Sequence, residues 1–177
     1  MMFSIMAIYF YVVAWQSNKI KYNLLFGIIA GFITILGHLT AGSITFVFLI
    51  IGTFLIVELF LEKFEKGDYY VLISWLGIIV LFLTVILKRI SILVFLNSLT
   101  TMPAFLALLA STIYLFAFQK NLFGIKNRIH FPGGLFSIVV VFVLLFLLGF
   151  IFLGGIEFLN WIYTNQIKEL LLESFTA

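Results

Sequence analysis

The stretch YNLLFGIIAGFITILGHLTAGSITFVFLIIGTFLIVELFL, from Tyr22 to Leu61, decides the class of fold. It contains two apolar runs, residues 22–38 and 43–61, joined by a short connection, and Glu58 is the only acidic or basic residue in it apart from one histidine. A helix that crosses a bilayer needs about 20 mostly apolar residues. The two runs therefore predict two consecutive membrane-spanning helices.

The same pattern continues along the chain. Short polar connections separate the apolar runs, and the adjacent cations Lys88 and Arg89 divide the fourth run from the fifth because both resist burial in lipid. Residues 163–177 place apolar side chains at helical spacing among charged ones, which predicts a short amphipathic segment at the membrane surface. The candidate spans are residues 1–16, 22–38, 43–61, 69–87, 90–118 and 134–156.

The sequence thus predicts an all-α fold, an integral membrane bundle of five to six transmembrane helices in a single domain, 1–177. The lower number applies if part of the fifth run is re-entrant or lies at the membrane surface. Of the 177 residues, 64% are hydrophobic and 10% are charged, and the mean hydropathy is +1.29. A soluble domain is about half apolar and a quarter charged.

The composition also excludes several classes of function. Ten Lys and Arg residues against seven Asp and Glu residues form no basic stripe, so no nucleic-acid partner is expected. The absence of cysteine excludes Cys-ligated zinc and iron–sulfur clusters. No nucleophile–base pair, phosphate loop or metal-ligand spacing is present. We therefore expect no metal and no cofactor in this chain, and no free-standing enzyme.

Glu58 and His38 are the candidates for a proton path. A carboxylate in an apolar run costs free energy unless it is paired, protonated or near water. Glu58 is accordingly interpreted either as a proton-handling group or as a surface residue on a helix that leaves the membrane. His38 shares a helix face with Gly27 and Thr34. It is either a second titratable group of that path or a cap at the end of its helix.

Three glycines and two cations complete the set of candidate residues. Gly27 and Gly31 are four positions apart, a spacing that allows two helix backbones to approach closely. Gly52 lies in the middle of the third run, where a glycine marks either close packing or a π-type turn. Lys88 and Arg89 are candidates for contact with lipid phosphate or a partner carboxylate, or they only set the topology.

The order of these features resembles subunit 6 of respiratory complex I, the proton-pumping NADH:quinone oxidoreductase. A short first span ends in a polar turn that contains Asn18, a second span ends in Gly37, and a third span carries the central Gly52. The stretch FPGGLFSIVVVFVLLFLLG, residues 131–149, is also similar. The chain departs from the family pattern at Lys19, where proline is usual, and at Ile50, where tyrosine is usual.

The resemblance implies a membrane-embedded subunit that helps couple quinone reduction to proton translocation, without catalysing the reaction itself. Gly52 would match the glycine at which the third helix of that family can adopt a π-bulge linked to coupling. Other membrane subunits of a large complex and phospholipids would be the partners. The location would be the mitochondrial inner membrane or a bacterial plasma membrane. The residues alone leave open another respiratory-chain or ATP-synthase membrane subunit with a structural role, or a small independent transporter or channel.

Overall fold

The computed structural model describes residues 2–17, 19–40, 45–88, 98, 100–120 and 131–152. Within these ranges the chain forms six helices and no strands, which confirms the all-α prediction. The fourth and fifth helices each continue directly into a π-helical segment, Leu81–Ile86 and Leu115–Gln119 respectively. The helices are α1 (Met2–Trp15), α2 (Ile20–Thr40), α3 (Thr45–Phe60), α4 (Lys66–Val80), α5 (Met102–Tyr114) and α6 (Gly133–Phe152).

Three of these helices are long and apolar enough to cross a membrane, counting the π-helical continuations: Ile20–Thr40, Lys66–Ile86 and Met102–Gln119. The helices α1 and α3 have 14 and 16 residues. At 1.5 Å per residue they reach about 21 and 24 Å, less than the ~30 Å hydrocarbon core. Helix length therefore does not confirm the five to six predicted spans. The predicted amphipathic segment, 163–177, and Arg89 lie outside the described residues.

Local sequence explains where several helices begin and end. A side-chain oxygen of Asp68 accepts the backbone N–H of Glu65 at 2.7 Å, which caps the first turn of α4. Pro103 lies in the first turn of α5, where its missing N–H breaks no helical hydrogen bond. Glu62 and Lys88 have φ angles of 57° and 47°, a left-handed conformation that ends a helix. Lys88 thus marks the break predicted between the fourth and fifth runs.

The chain divides into two compact units, Met1–Ile138 and Val139–Ala177. In the first unit, α2 packs mainly against α1 and α4, and α3 packs mainly against α5. The core of this unit is centred on Trp75, which is fully buried, stacks obliquely on Phe48 and donates a hydrogen bond of 3.1 Å to the Thr34 hydroxyl. These contacts fix the register of α2 against α4.

The second unit contains the part of α6 from Val139 onward. Large apolar side chains such as Phe142, Leu144 and Ile151 are exposed along this part of the helix, whereas Val141 is buried. A helix that is apolar on all sides needs an apolar environment around it.

The helices of the first unit run in directions that bring four helix ends together. Gly27 of α2 faces Ser74 of α4, and Gly31, one turn further along α2, faces Ile78, one turn further along α4. The two helices are therefore parallel, and their first turns lie at the same end of the unit. The last turns of α1 and α3 also reach this end, because short connections join them to α2 and α4.

Candidate functional site

Four buried polar side chains lie toward this end of the first unit, one from each of four helices. They are Tyr11 of α1, Asn23 of α2, Glu58 of α3 and Asp68 of α4, which we call the polar cluster. Their exposed fractions are 3%, 1%, 7% and 5%, respectively. Acidic side chains are almost never this deeply buried unless they are paired, so the cluster is the strongest candidate for a functional site.

Electrostatic and packing contacts link the four residues. The carboxyl group of Asp68 interacts electrostatically with that of Glu58, and both carboxyl groups interact electrostatically with the hydroxyl of Tyr11. The Trp15 indole, one turn beyond Tyr11 on α1, donates a hydrogen bond to Glu58. The amide nitrogen of Asn23 lies 2.7 Å from the position that a Cβ on Gly67 would occupy, and Gly67 directly precedes Asp68 in the chain. The cluster is therefore assembled by packing of α1 to α4 and not by neighbours in sequence.

Three oxygen atoms in the cluster are buried without a hydrogen-bond partner among the described residues. They are the hydroxyl of Tyr11, Oδ1 of Asn23 and Oε2 of Glu58. Asp68 is better satisfied, because one of its oxygens accepts the Glu65 backbone N–H. Buried polar atoms nearly always have partners, and exceptions often mark a functional group, an ion or a water.

The charges around the two acids are unfavourable. Among the described residues, the charged groups that act on Glu58 are Asp68 and Glu65, and Glu65 also acts on Asp68. All of these groups are acidic. Two buried carboxylates near each other, with no cation beside them in the described part of the chain, disfavour the doubly ionised state through both desolvation and repulsion. The described residues contain no group of three or more His, Asp and Glu side chains that could hold a metal.

The two predicted proton-path residues lie far apart. Glu58 is buried in the last turn of α3. His38 is half-buried near the other end of α2, fifteen positions beyond Asn23, or about 22 Å along the helix axis at 1.5 Å per residue. The structure thus places Glu58 in the polar cluster and His38 outside it.

The predicted packing glycines lie at close helix contacts. A Cβ on Gly27 would lie 3.1 Å from the carbonyl oxygen of Val71, and a Cβ on Gly31 would lie 3.0 Å from that of Trp75. These separations are tighter than ordinary contacts, so α2 and α4 approach closely at both glycines.

Gly52 also makes a close contact with the backbone of another helix. A Cβ there would lie 2.8 Å from the Cα of Ala104 and 2.5 Å from the carbonyl carbon of Pro103. The helix α3 is regular and α-helical through Gly52, and the two described π-helical segments belong to α4 and α5. The predicted hinge at Gly52 therefore stays a prediction.

Of the two candidate cations, Lys88 is exposed after the end of α4, and Arg89 lies outside the described residues.

A second feature at this end of the first unit is an open cavity of about 430 Å³. Glu62 accepts the backbone N–H of Gly133 at 2.6 Å across one wall, and the Gln119 amide donates to the carbonyl of Phe64 at 3.3 Å. Glu62 follows Glu58 by four residues, one turn beyond the buried acid. The cavity is lined by Glu62, Lys66, Tyr114, Phe118, Gln119 and Gly133.

Sequence reasoning did not identify Asp68, Tyr11 or Asn23 as site residues. The one available signal was the spacing of Glu65 and Asp68, which have acidic side chains three positions apart at the start of an apolar run, as in a capping box. It marks Asp68 as a helix start, but it does not predict burial.

No protein-family model, curated protein or solved structure matches this chain. The polar cluster and the glycine contacts are therefore the observations on which a function can be proposed.

Proposed function

We propose that this chain is a membrane-embedded subunit of a proton-pumping NADH:quinone oxidoreductase, similar to subunit 6 of complex I. In this proposal it crosses the mitochondrial inner membrane, or a bacterial plasma membrane, five to six times. It binds no cofactor and helps couple quinone reduction to proton translocation. Its partners are other membrane subunits and phospholipids.

The observation that carries the proposal is the buried acid Glu58, less than two turns beyond Gly52 on the otherwise apolar helix α3. A buried carboxyl group without a cation partner among the described residues is suited to taking up and releasing a proton. Gly52 would match the glycine at which the third helix of the resembling family can change its geometry. One helix thus carries both a candidate proton-binding group and a candidate hinge.

The exposed surface is consistent with a subunit of a larger assembly. Apolar side chains remain exposed along α3, including Phe46, Ile50 and Phe54, and along the described part of α6. Lipid or neighbouring subunits must cover such surfaces, since contiguous apolar patches are unfavourable in water.

A direct test is to isolate the chain from its native membrane in mild detergent and to identify the co-purifying proteins by mass spectrometry. The proposal predicts subunits of an NADH:quinone oxidoreductase. Recovery of the chain alone, or with the subunits of a different complex, would refute it.

The role of Gly52 is tested separately by Gly52→Val. We expect the variant to assemble and to oxidise NADH while it pumps fewer protons per electron pair. The measurement is the ratio of proton translocation to NADH oxidation in sealed vesicles. Gly77→Val is the matched control, because no atom lies within 4 Å of a Cβ at Gly77.

A second candidate function is a structural subunit of another respiratory-chain complex or of ATP synthase. The close contact between Gly52 and the backbone at Pro103 and Ala104 favours it, because such a contact suits fixed packing. If Gly52→Val abolished assembly while Gly77→Val did not, this structural role would be the better assignment.

A further inference from the structure

We propose that Glu58 and Asp68 bind one proton between them, with Tyr11 and Asn23 as buried polar neighbours of the acid pair. The polar cluster is then a single proton-binding site formed by four helices. This inference goes beyond the proposed function and holds whichever complex contains the chain, because it depends only on the geometry of the first unit.

The burial of both acids provides the first step. Glu58 is 7% exposed and Asp68 is 5% exposed, and each comes from a different helix. An ionised carboxylate loses most of its hydration at such a position. A second negative charge nearby adds repulsion in a medium that screens poorly. Protonation of one of the two acids removes the repulsion and the desolvation cost of that acid.

The unpartnered atoms provide the second, independent step. Two ionised carboxylates are only acceptors, so Oε2 of Glu58 and Oδ1 of Asn23 have no donor to share. A protonated carboxyl group gains an O–H donor. One added proton therefore supplies one donor, which can satisfy one of these acceptors or bridge the two acids, and the Tyr11 hydroxyl is a further buried polar group without a partner among the described residues.

The groups that face the pair contain no described base. Tyr11 faces both acids from α1, and Glu65 faces them from the start of α4. The Trp15 indole is a neutral donor to Glu58, and Asn23 of α2 is neutral. Each titratable group that acts on the pair is thus acidic, which favours a bound proton over two free carboxylates.

The test uses dicyclohexylcarbodiimide, which reacts with protonated carboxyl groups in apolar sites. Native membranes are treated at neutral pH, and the modified residues are identified by mass spectrometry of the full chain and its peptides. We expect one adduct per chain, on Glu58 or Asp68 and not on both, with labelling that falls as the pH rises. Glu62 and Glu65 are exposed and serve as internal controls that stay unlabelled.

Two variants test whether the proton is shared. Glu58→Gln removes the like-charged neighbour of Asp68, so Asp68 should ionise more readily and its labelling should fall. Asp68→Asn should reduce the labelling of Glu58 in the same way. The asparagine oxygen can still accept the Glu65 backbone N–H, so the start of α4 is preserved. Glu62→Gln is the matched control and should leave both reactions unchanged.

Each other outcome would overturn the inference. Unchanged labelling of Asp68 in Glu58→Gln would show two independent acids. Adducts on both acids of one chain would show that each acid binds its own proton. The absence of an adduct on either acid, in the chain without substitutions, would show that both acids are ionised. Protection of the pair by sodium ions at constant pH would show a site for a monovalent cation.

Discussion

The substitution Gly52→Ala tests the close backbone contact between α3 and α5 with the smallest possible change. A methyl group at this position would lie 2.8 Å from the Cα of Ala104 and 2.5 Å from the carbonyl carbon of Pro103. Carbon atoms in ordinary contact are about 3.5–4.0 Å apart. The obstructing atoms belong to the backbone of α5 and cannot rotate away, so α3 and α5 must separate by roughly 1 Å.

The expected cost follows from two opposing effects. Forcing one extra carbon into a packed contact destabilises a protein by about 1–3 kcal/mol. Replacing glycine by alanine within a helix returns about 1 kcal/mol through the higher helix propensity of alanine. We therefore expect Gly52→Ala to lower the free energy of unfolding by about 0–2 kcal/mol.

The assay is reversible unfolding of the purified chain in mixed micelles with increasing denaturing detergent. Tryptophan fluorescence reports the transition, and Trp75, one of three tryptophans, contributes to the change because this side chain is fully buried against Phe48. Gly77→Ala is the matched control. It has the same chemistry within α4, but no atom lies within 4 Å of the added Cβ, so stability should be unchanged or rise by up to about 1 kcal/mol.

The comparison of the two variants is decisive. If Gly52→Ala were as stable as Gly77→Ala, α3 and α5 would not be packed backbone to backbone at this position. The reasoning for a close glycine contact would then be refuted, together with the register that places Gly52 opposite Pro103 and Ala104.

Two other substitutions test single hydrogen bonds in the same unfolding assay. Thr34→Val removes the acceptor of the Trp75 indole N–H, 3.1 Å away in the core, and should lower the free energy of unfolding by about 1–3 kcal/mol because the donor stays buried. Thr34→Ser keeps the hydroxyl and should retain most of this stability, so equal stability of the two variants would contradict the hydrogen bond. Glu62→Ala removes the carboxylate that accepts the Gly133 backbone N–H at the start of α6 and should lower the free energy of unfolding by about 0.5–2 kcal/mol. Glu62→Gln keeps an acceptor and should lower it less, and unchanged stability in Glu62→Ala would show that the contact is not stabilising.

The positions of the helices were predictable where an apolar run is bounded by polar residues. The run 22–38 corresponds to α2, Ile20–Thr40, and the break at Lys88 follows from the cost of burying a cation. The fifth run was predicted as 90–118, but α5 begins at Met102. Hydropathy cannot detect a helix start within an apolar run, whereas Pro103 marks that start because proline suits the first helical turn.

The candidate site was only partly predictable. Glu58 stands out in the sequence because a charge interrupts an apolar run. Asp68 does not, because it follows Glu65 and Lys66 in what looks like an exposed connection. Its burial results from the packing of α4 against neighbouring helices, as does that of Tyr11. Which polar side chains become neighbours depends on helix pairing, and a single sequence does not contain this information in readable form.

The two acids of the polar cluster are not equivalent, and the difference indicates which of them carries the proton. Asp68 lies in the first turn of α4, where the helix dipole favours a negative charge and a backbone N–H is bonded to its side chain. Glu58 lies in the last turn of α3, where the dipole disfavours a negative charge, and its Oε2 lacks a partner among the described residues. The Trp15 hydrogen bond to Glu58 acts in the opposite direction, but it is one bond against two effects. The proton should therefore reside mainly on Glu58. Carbodiimide adducts on Glu58 should then outnumber those on Asp68, and the reverse ratio would show that the helix dipoles do not decide which acid carries the proton.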